Sequence, residues 1–445
     1  MKYISTGFLV LFSLSLAVQA ASERYHPNNL FIKLKPGQSL PKSDLIRSSK
    51  KLFNNLYLVK TKDIESLESQ VASSGAAEYV QKDFYSEKEV MPKLETLEPA
   101  DLVMKRMFPM ELFKFNDPEV GRLWAFLGTQ GMDVNGAYDI LPNITPEEVI
   151  VAVVDTGVDA SHEDLKDIMW VNSGEIPADG KDNDGNGYID DIHGINVLVR
   201  DAAGRATMNT MASHWHGTHV SGTIAATQNN GIGIAGVANN VKIMAIRTVP
   251  DAADELDSDI VEAFLYATKN GARVINCSFG KAKNEGGMVV RDTINEISKR
   301  NVLVIASAGN DSSGPFSWHN NDTAPKFPAA FDSANLLVIA STTSTGSLSP
   351  FSNVGKVSVD VAAPGSNVYS TLNGNKYGMA SGTSMAAPNT SGVAAMVLGY
   401  FPRLSVLQLK EVLTSTVTKV PAYADKMTSG GRINLKAALV RASRL

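Results

Sequence analysis

The chain has 445 residues, 44 % of them hydrophobic and 20 % charged, so it exceeds one ordinary domain and reads as a globular protein. A formal net charge of −5 gives no basic footprint, which argues against nucleic acid as the main partner. The one cysteine, Cys277, excludes an intramolecular disulfide, so stability has to come from core burial or bound ions.

The chain opens MKYISTGFLVLFSLSLAVQA, with an early lysine ahead of an apolar run from Gly7 to Val18. That run is short for the ~20 residues of a membrane helix, and Val18-Gln19-Ala20 offers a small-residue cleavage site. A secretory signal peptide is expected over 1–20, with an uncleaved anchor as the alternative. No later stretch is apolar enough to span a bilayer. Residues 21–90 then carry strand-like runs, NLFIKLK (29–35) and LYLVKT (56–61). Helix-like segments fall around 42–49 and over IESLESQVASSG (64–75), followed by AEYVQKDFY. This predicts a small α+β unit with only a thin core. Residues 91–115 hold three prolines and no glycine, show no sustained period, and read as a linker.

From about 116 onward, short β-branched runs alternate with helical ones. The strands are VIVAVV (149–154), VKIMAI (241–246), ARVINC (272–277), NVLVIAS (301–307), NLLVIAS (335–341) and VSVDVAA (357–363). Between them, 257–271 reads as a helix with Asp257 or Ser258 as N-cap and Gly271 as C-cap, and 287–301 is amphipathic. Strands that are apolar throughout, separated by helices, predict a doubly wound, mostly parallel α/β sheet covered on both faces. Functional groups in such sheets gather at the carboxyl edge of the strands.

Asp155 ends the first of these strands and sits at that edge. SHWHGTHVSG (213–222) crowds His214, His216 and His219 into one stretch. Zinc pairs on helices more often use i, i+4 spacing with a glutamate between, so a lone general base fits better than a metal site. Ser384 opens the apolar segment 384–401, where Pro388 is tolerable only near the first turn. Free N–H groups and the helix dipole there favour developing negative charge. Met385 and Ala386 follow the serine, which excludes a G-x-S-x-G elbow. Asn310 ends the strand 301–307 region with a side-chain N–H₂ suited to an oxyanion. Singly, each of these residues could be a cap or a turn; together they supply a carboxylate, an imidazole, an oxyanion donor and a nucleophile.

VVDTGVDASHEDL, HGTHVSGTIAA, ASAGN and GTSMAAP, in that order, resemble the signatures of the subtilisin-like serine proteases (peptidase S8). The similarity runs from about 116 through GRINLKAAL (431–439). It implies a subtilisin-like fold over 116–442 and a secreted endopeptidase whose triad is Asp155, His216 and Ser384, with Asn310 in the oxyanion hole. His219 would then pack the helix and His214 would be a loop residue. A substrate chain would lie as an added strand against Ser278, Phe279 and Gly280, with Ala308 and Gly309 walling the primary pocket. The opposite edge corresponds to DAADELD (251–257), whose acids would favour basic substrate side chains. At Asn389 the family usually has histidine, a change expected to affect packing. The 21–90 unit, with a β-α-β-β-α-β-like (ferredoxin-like) order, is similar to the family's I9-type inhibitory propeptide. The linker would be cut to release it, and the product would be a monomer with no nucleic-acid or membrane partner.

One insertion, DGKDNDGNGYIDDIHG (179–194), reproduces an EF-hand-like loop through Asp182, Asp184, Asn186 and Asp190, with Tyr188 offering a carbonyl. Position 12 is His193, and Asp191 is the available substitute. A structural Ca²⁺ is expected there, since acids this close repel one another without a cation; the alternative is a solvated turn. A second calcium site could involve Asp164 and the loop around Asn229. No organic cofactor is expected. Two other classes remain open: a catalytically silent, calcium-dependent binding module on the same scaffold, and a His-cluster metallohydrolase.

Overall fold

A computed structural model describes residues 25–85, 94–95, 108–211, 214–250, 255–281, 287–314 and 317–445. The expected signal peptide and most of the linker lie outside the described residues.

Four strands build the N-terminal unit: β1 (Tyr25–Leu34), β2 (Ile46–Phe53), β3 (Leu56–Thr61) and β4 (Ala77–Phe84), with α1 (Ile64–Ser74) between the last two. Their order across the antiparallel sheet is β2-β3-β1-β4. That is the ferredoxin-like strand order without its first helix. The segment expected to be helical around 42–49 instead enters β2. Phe53 pairs with Leu56, so Asn54 and Asn55 form a two-residue hairpin turn with Asn54 at positive φ. Long-range pairing with β3 overrides the local helical pattern. α1 buries Ile64, Leu67 and Val71 against Leu30, Ile32, Leu34 and Val59 on one face of the sheet.

The large unit is built on ten strands in the order β16-β17-β13-β12-β11-β10-β6-β9-β7-β8. Its parallel centre comprises β6 (Val149–Asp155), β7 (Gly194–Arg200), β9 (Val241–Arg247), β10 (Val274–Cys277), β11 (Leu303–Ser307), β12 (Leu336–Thr342) and β13 (Val361–Pro364). Short β8 (Ala206–Thr207), β16 (Thr418–Lys419) and β17 (Gly431–Arg432) finish the edges. A hairpin, β14 (Val368–Leu372) and β15 (Lys376–Ala380), stands apart and carries β5 (Leu94–Glu95).

The uniform apolarity of these strands follows from burial on both sides. Val151, Val153, Ile243 and Ile305 pack under α2 (Val134–Tyr138), α3 (His216–Ala225), α6 (Thr383–Tyr400), α7 (Val406–Ser415) and α8 (Leu435–Ala442). Ala152, Val154, Met244 and Val304 face α4 (Asp257–Lys269) and α5 (Met288–Ser298). Strand order reverses at β6, which has β9 on one side and β10 on the other. Asp155 therefore ends at the switch point where such sheets open a crevice.

Helix α4 begins at Asp257 with Leu256 as N-cap, one position before the expected Asp257 and two before Ser258, and its C-cap is Asn270, with Gly271 following in the left-handed region. The cap comes from elsewhere in the chain. Asp83, just before the end of β4, accepts the Ser258 N–H, and Gln81 accepts the Val289 N–H at the start of α5. Two alternate residues of one strand thus serve the amino ends of two helices. Phe31 and Leu56 of the small sheet join the apolar layer over α4 and α5.

Candidate active site

Helix α3 presents His216 at its first residue, fully buried, with Nδ1 2.7 Å from Asp155 Oδ1. A carboxylate only accepts, so the Nδ1 side of the ring carries the proton of this contact. Asp155 Oδ1 also takes the Thr156 N–H at 2.7 Å. Close approach fixes the next residue: a Cβ on Gly217 would fall 2.2 Å from the Gly157 carbonyl and 3.1 Å from Asp155 Oδ1. Among the described residues His216 Nε2 has no hydrogen-bond partner.

Ser384 is the second residue of α6, which packs against α3. Its hydroxyl donates to the Ser278 carbonyl at 3.2 Å. Asn310 Oδ1 accepts both the Thr383 N–H (2.8 Å) and the Thr383 hydroxyl (3.0 Å), which fixes the amide plane beside the serine. Gly309, at φ +105°, admits no side chain, because a Cβ would meet Asn353 Nδ2 at 2.5 Å. Ala308 is fully buried and its carbonyl accepts Asn321 Nδ2. Ser278, Phe279 and Gly280 directly follow β10, one strand away from Asp155.

His219 lies against the Val368 carbonyl through Nε2, and burial together with neighbouring His216 pulls its pKa down to about 3, so it stays neutral. His214 stacks on Trp215 and accepts the His216 N–H. The three imidazoles serve three different partners rather than one ion. Burial pushes the Cys277 thiol up, which leaves it protonated and inert.

The subtilase family (peptidase S8) matches residues 147–431, which include all four of Asp155, His216, Asn310 and Ser384. The chain belongs to the subtilase family. It is 30 % identical over 391 residues to an extracellular basic protease of Dichelobacter nodosus, covering 78 % of this chain and 62 % of that relative. It is 33 % identical over 291 residues to subtilisin DY of Bacillus licheniformis, covering 65 % of this chain and 90 % of the relative. Fervidolysin of Fervidobacterium pennivorans superposes with a TM-score of 0.69 at 22 % identity, over 94 % of this chain and 62 % of that one, a likeness of fold. The chain thus spans a little under two thirds of the Dichelobacter nodosus protease.

Where this subtilase departs from the family pattern, Asn389 donates through Nδ2 to the carbonyls of Pro364 and Met385, a packing role inside α6. The acidic edge differs from expectation. Residues 251–254 lie outside the described residues, and Asp257 is buried, taking Lys281 Nζ at 2.7 Å and Gln81 Nε2 at 3.2 Å. Its charge is neutralised from within, so it does not present an acid to a basic substrate side chain.

The acidic insertion also folds differently. Glu175, Asp184 and Asp191 bring carboxylate oxygens within 4.8 Å of one another. Of the five expected ligands only Asp184 belongs to that group. Asp182 accepts the N–H groups of Asn186 and Gly187, and Asp190 those of Asp179 and Gly180, so both close backbone turns. Asn186 donates its amide to Asp184 and Asp191, and the Tyr188 hydroxyl donates to Glu262. Glu175 precedes the motif, and no spacing rule points to it. Burial, reinforced by Asp184, raises the proton affinity of Asp191. Three converging carboxylates of this kind suit a hard, oxygen-seeking cation. At the second expected site, Asp164 is held by Asn230 Nδ2, the Ile234 N–H and the Tyr377 hydroxyl, all protein donors.

Proposed function

We propose that this subtilase is a secreted serine endopeptidase that hydrolyses peptide bonds through an acyl-enzyme on Ser384. The observation that carries the reading is the buried 2.7 Å contact between Asp155 and His216, which leaves Nε2 as the ring's basic atom. In this reading the Ser384 hydroxyl leaves the Ser278 carbonyl and donates to Nε2 when substrate is bound. His216 then accepts the proton as Oγ attacks the substrate carbonyl, and Asp155 holds the tautomer and stabilises the imidazolium. Asn310 Nδ2 and the Ser384 N–H hold the oxyanion at the start of α6. His216 returns its proton to the leaving amine, and water repeats the sequence to release the acid.

Residues 25–85 act in this reading as the inhibitory propeptide. Support comes from Gln81 and Asp83 seated on α5 and α4, and from the chain on either side of the cleft. Tyr85 pairs antiparallel with Leu256, while Leu94 pairs with Ala380, four residues before Ser384. These two pairings, at Tyr85 and at Leu94, support a maturation cut after residue 85. The Glu175–Asp184–Asp191 group would hold a structural Ca²⁺, neutralising the cluster and fixing the insertion beneath α4. Export rests on the N-terminal segment of the sequence; among the described residues no helix is long and apolar enough to cross a membrane.

N-terminal sequencing of the exported protein, wild type beside Ser384→Ala, tests the reading. A wild-type N-terminus beyond residue 85 and an unprocessed Ser384→Ala chain support it. Identical processing of both would remove the autocatalytic part.

A further inference from the structure

Pro388 lies inside α6 and has no N–H to offer the carbonyl four residues earlier, which is that of Ser384. The orphaned carbonyl is not left bare. Ser278 Oγ donates to it at 3.0 Å, and Ser278 Oγ in turn accepts Asn276 Nδ2 at 2.9 Å. Asn276 Oδ1 accepts the Ser391 hydroxyl at 2.9 Å, whose proton is shared with the Ala387 carbonyl at 3.1 Å. The relay starts and ends on α6 and passes through the strand beside it. Asn276 and Ser391 are fully buried, and Ser278 and Ser384 are 2 % exposed.

We propose that Asn276 and Ser391 are positioning residues for the Ser384 nucleophile, acting through Ser278. The proposal rests on the reading of Ser384 as nucleophile given above. Asn276 stands on β10, whose register pairs Asn276 with Val153 and Cys277 with Val154. The next residue of β6 is Asp155. The relay therefore fastens the first turn of α6 to the same pair of strands that carries the carboxylate orienting His216. Asn276 also aims the Ser278 hydroxyl: its Nδ2 donation leaves Oγ with its proton directed at Ser384. Without that donation Ser278 is free to rotate, and the turn bearing Ser384 loses its anchor at the carbonyl Pro388 exposed. A fully satisfied buried chain of this kind selects one geometry, and sub-ångström precision at a nucleophile is what catalysis rewards.

The test uses the exported protein after its maturation cut, with competent sites counted by titration with a serine-reactive phosphonate. Turnover of a peptide substrate is then expressed per titrated site. A purely structural role would lower the titratable fraction or Tm but not turnover per competent site. The expected result for Asn276→Ala is a kcat per site lower by about tenfold, the worth of one buried hydrogen bond, with KM within about twofold. Ser391→Ala moves kcat the same way by a smaller factor, and the double variant matches Asn276→Ala, because both act on one bond. Should Asn276→Ala fail to fold, Ser391→Ala decides alone. Unchanged kcat per site, or a KM that rises in proportion as kcat falls, overturns the proposal. If the wild-type chain takes up no phosphonate, the protease reading fails instead, and the two failures are distinguishable.

Discussion

Asn310 holds two jobs that substitution can separate. Its Oδ1 anchors Thr383, a fully buried residue, through the N–H and the hydroxyl; its Nδ2 is the proposed oxyanion donor. Asn310→Ala removes both. Leaving the buried Thr383 N–H without an acceptor costs about 1–3 kcal/mol of stability, a Tm fall of a few degrees. Loss of the donor lowers kcat by about 10²–10³, a magnitude known from enzymes of this family, equivalent to about 2.7–4 kcal/mol. Asn310→Asp keeps an oxygen that accepts both Thr383 donors and removes only the N–H₂ donor, putting negative charge where the oxyanion develops. Its Tm should stay near wild type while its kcat falls at least as far as that of Asn310→Ala, with KM little changed. Steady-state kinetics on a chromogenic peptide, beside thermal unfolding monitored by circular dichroism, reads both quantities. An Asn310→Asp variant retaining kcat within about threefold, or a loss confined to KM, would refute this assignment.

Three further outcomes follow from the same structure. Burial raises the Asp259 pKa to about 7 against the pull of Arg200, with Asp83 and Glu262 adding to the rise. A carboxyl raised on folding stabilises the fold below its unfolded value near 3.9, and that contribution is lost as pH climbs through about 7. The Tm of the full-length Ser384→Ala chain should therefore drop between about pH 4 and 7. Asp259→Asn, still facing Arg200, Asp83 and Glu262, should show a shallower drop, and an equal slope in both chains would count against it. Chelation with EDTA should lower Tm, since an ion at a hundredfold excess over Kd contributes about 2.7 kcal/mol. Glu175→Gln and Asp191→Asn should weaken calcium binding by titration calorimetry, whereas Asp190→Asn should not; a Tm indifferent to EDTA contradicts the site. Asp83→Ala strands the Ser258 N–H and Asn29 Nδ2, each worth about 1–3 kcal/mol, so trypsin should cut 25–85 faster in the Ser384→Ala background. Unaltered cleavage would show that this cap does not hold the small unit down.

The parallel sheet was legible in the sequence because strands buried on both faces leave long β-branched runs, and all six runs named from sequence became strands within a few residues. Asp155, His216, Asn310 and Ser384 stood out in the sequence because each lies at a strand end or helix start marked by its own motif. What escaped the sequence depends on distant neighbours. β2 looked helical because its pairing with β3, not its own period, sets its conformation. The α4 cap was misplaced because Asp83, contributed by another unit, supplies it. Glu175 joins Asp184 and Asp191 only through the fold, because loop spacing cannot show that a residue ahead of the motif folds back onto it. The Asn276–Ser278–Ser391 relay is equally invisible in sequence, since it exists only once β10 lies against α6.

Mass-spectrometric mapping of a phosphonate adduct bears most directly on whether Ser384, activated by His216, does the chemistry. One adduct per chain, on Ser384, abolished in Ser384→Ala and slowed at least a thousandfold in His216→Ala, is the expected result. Modification at another residue, or undiminished labelling in Ser384→Ala, would contradict it.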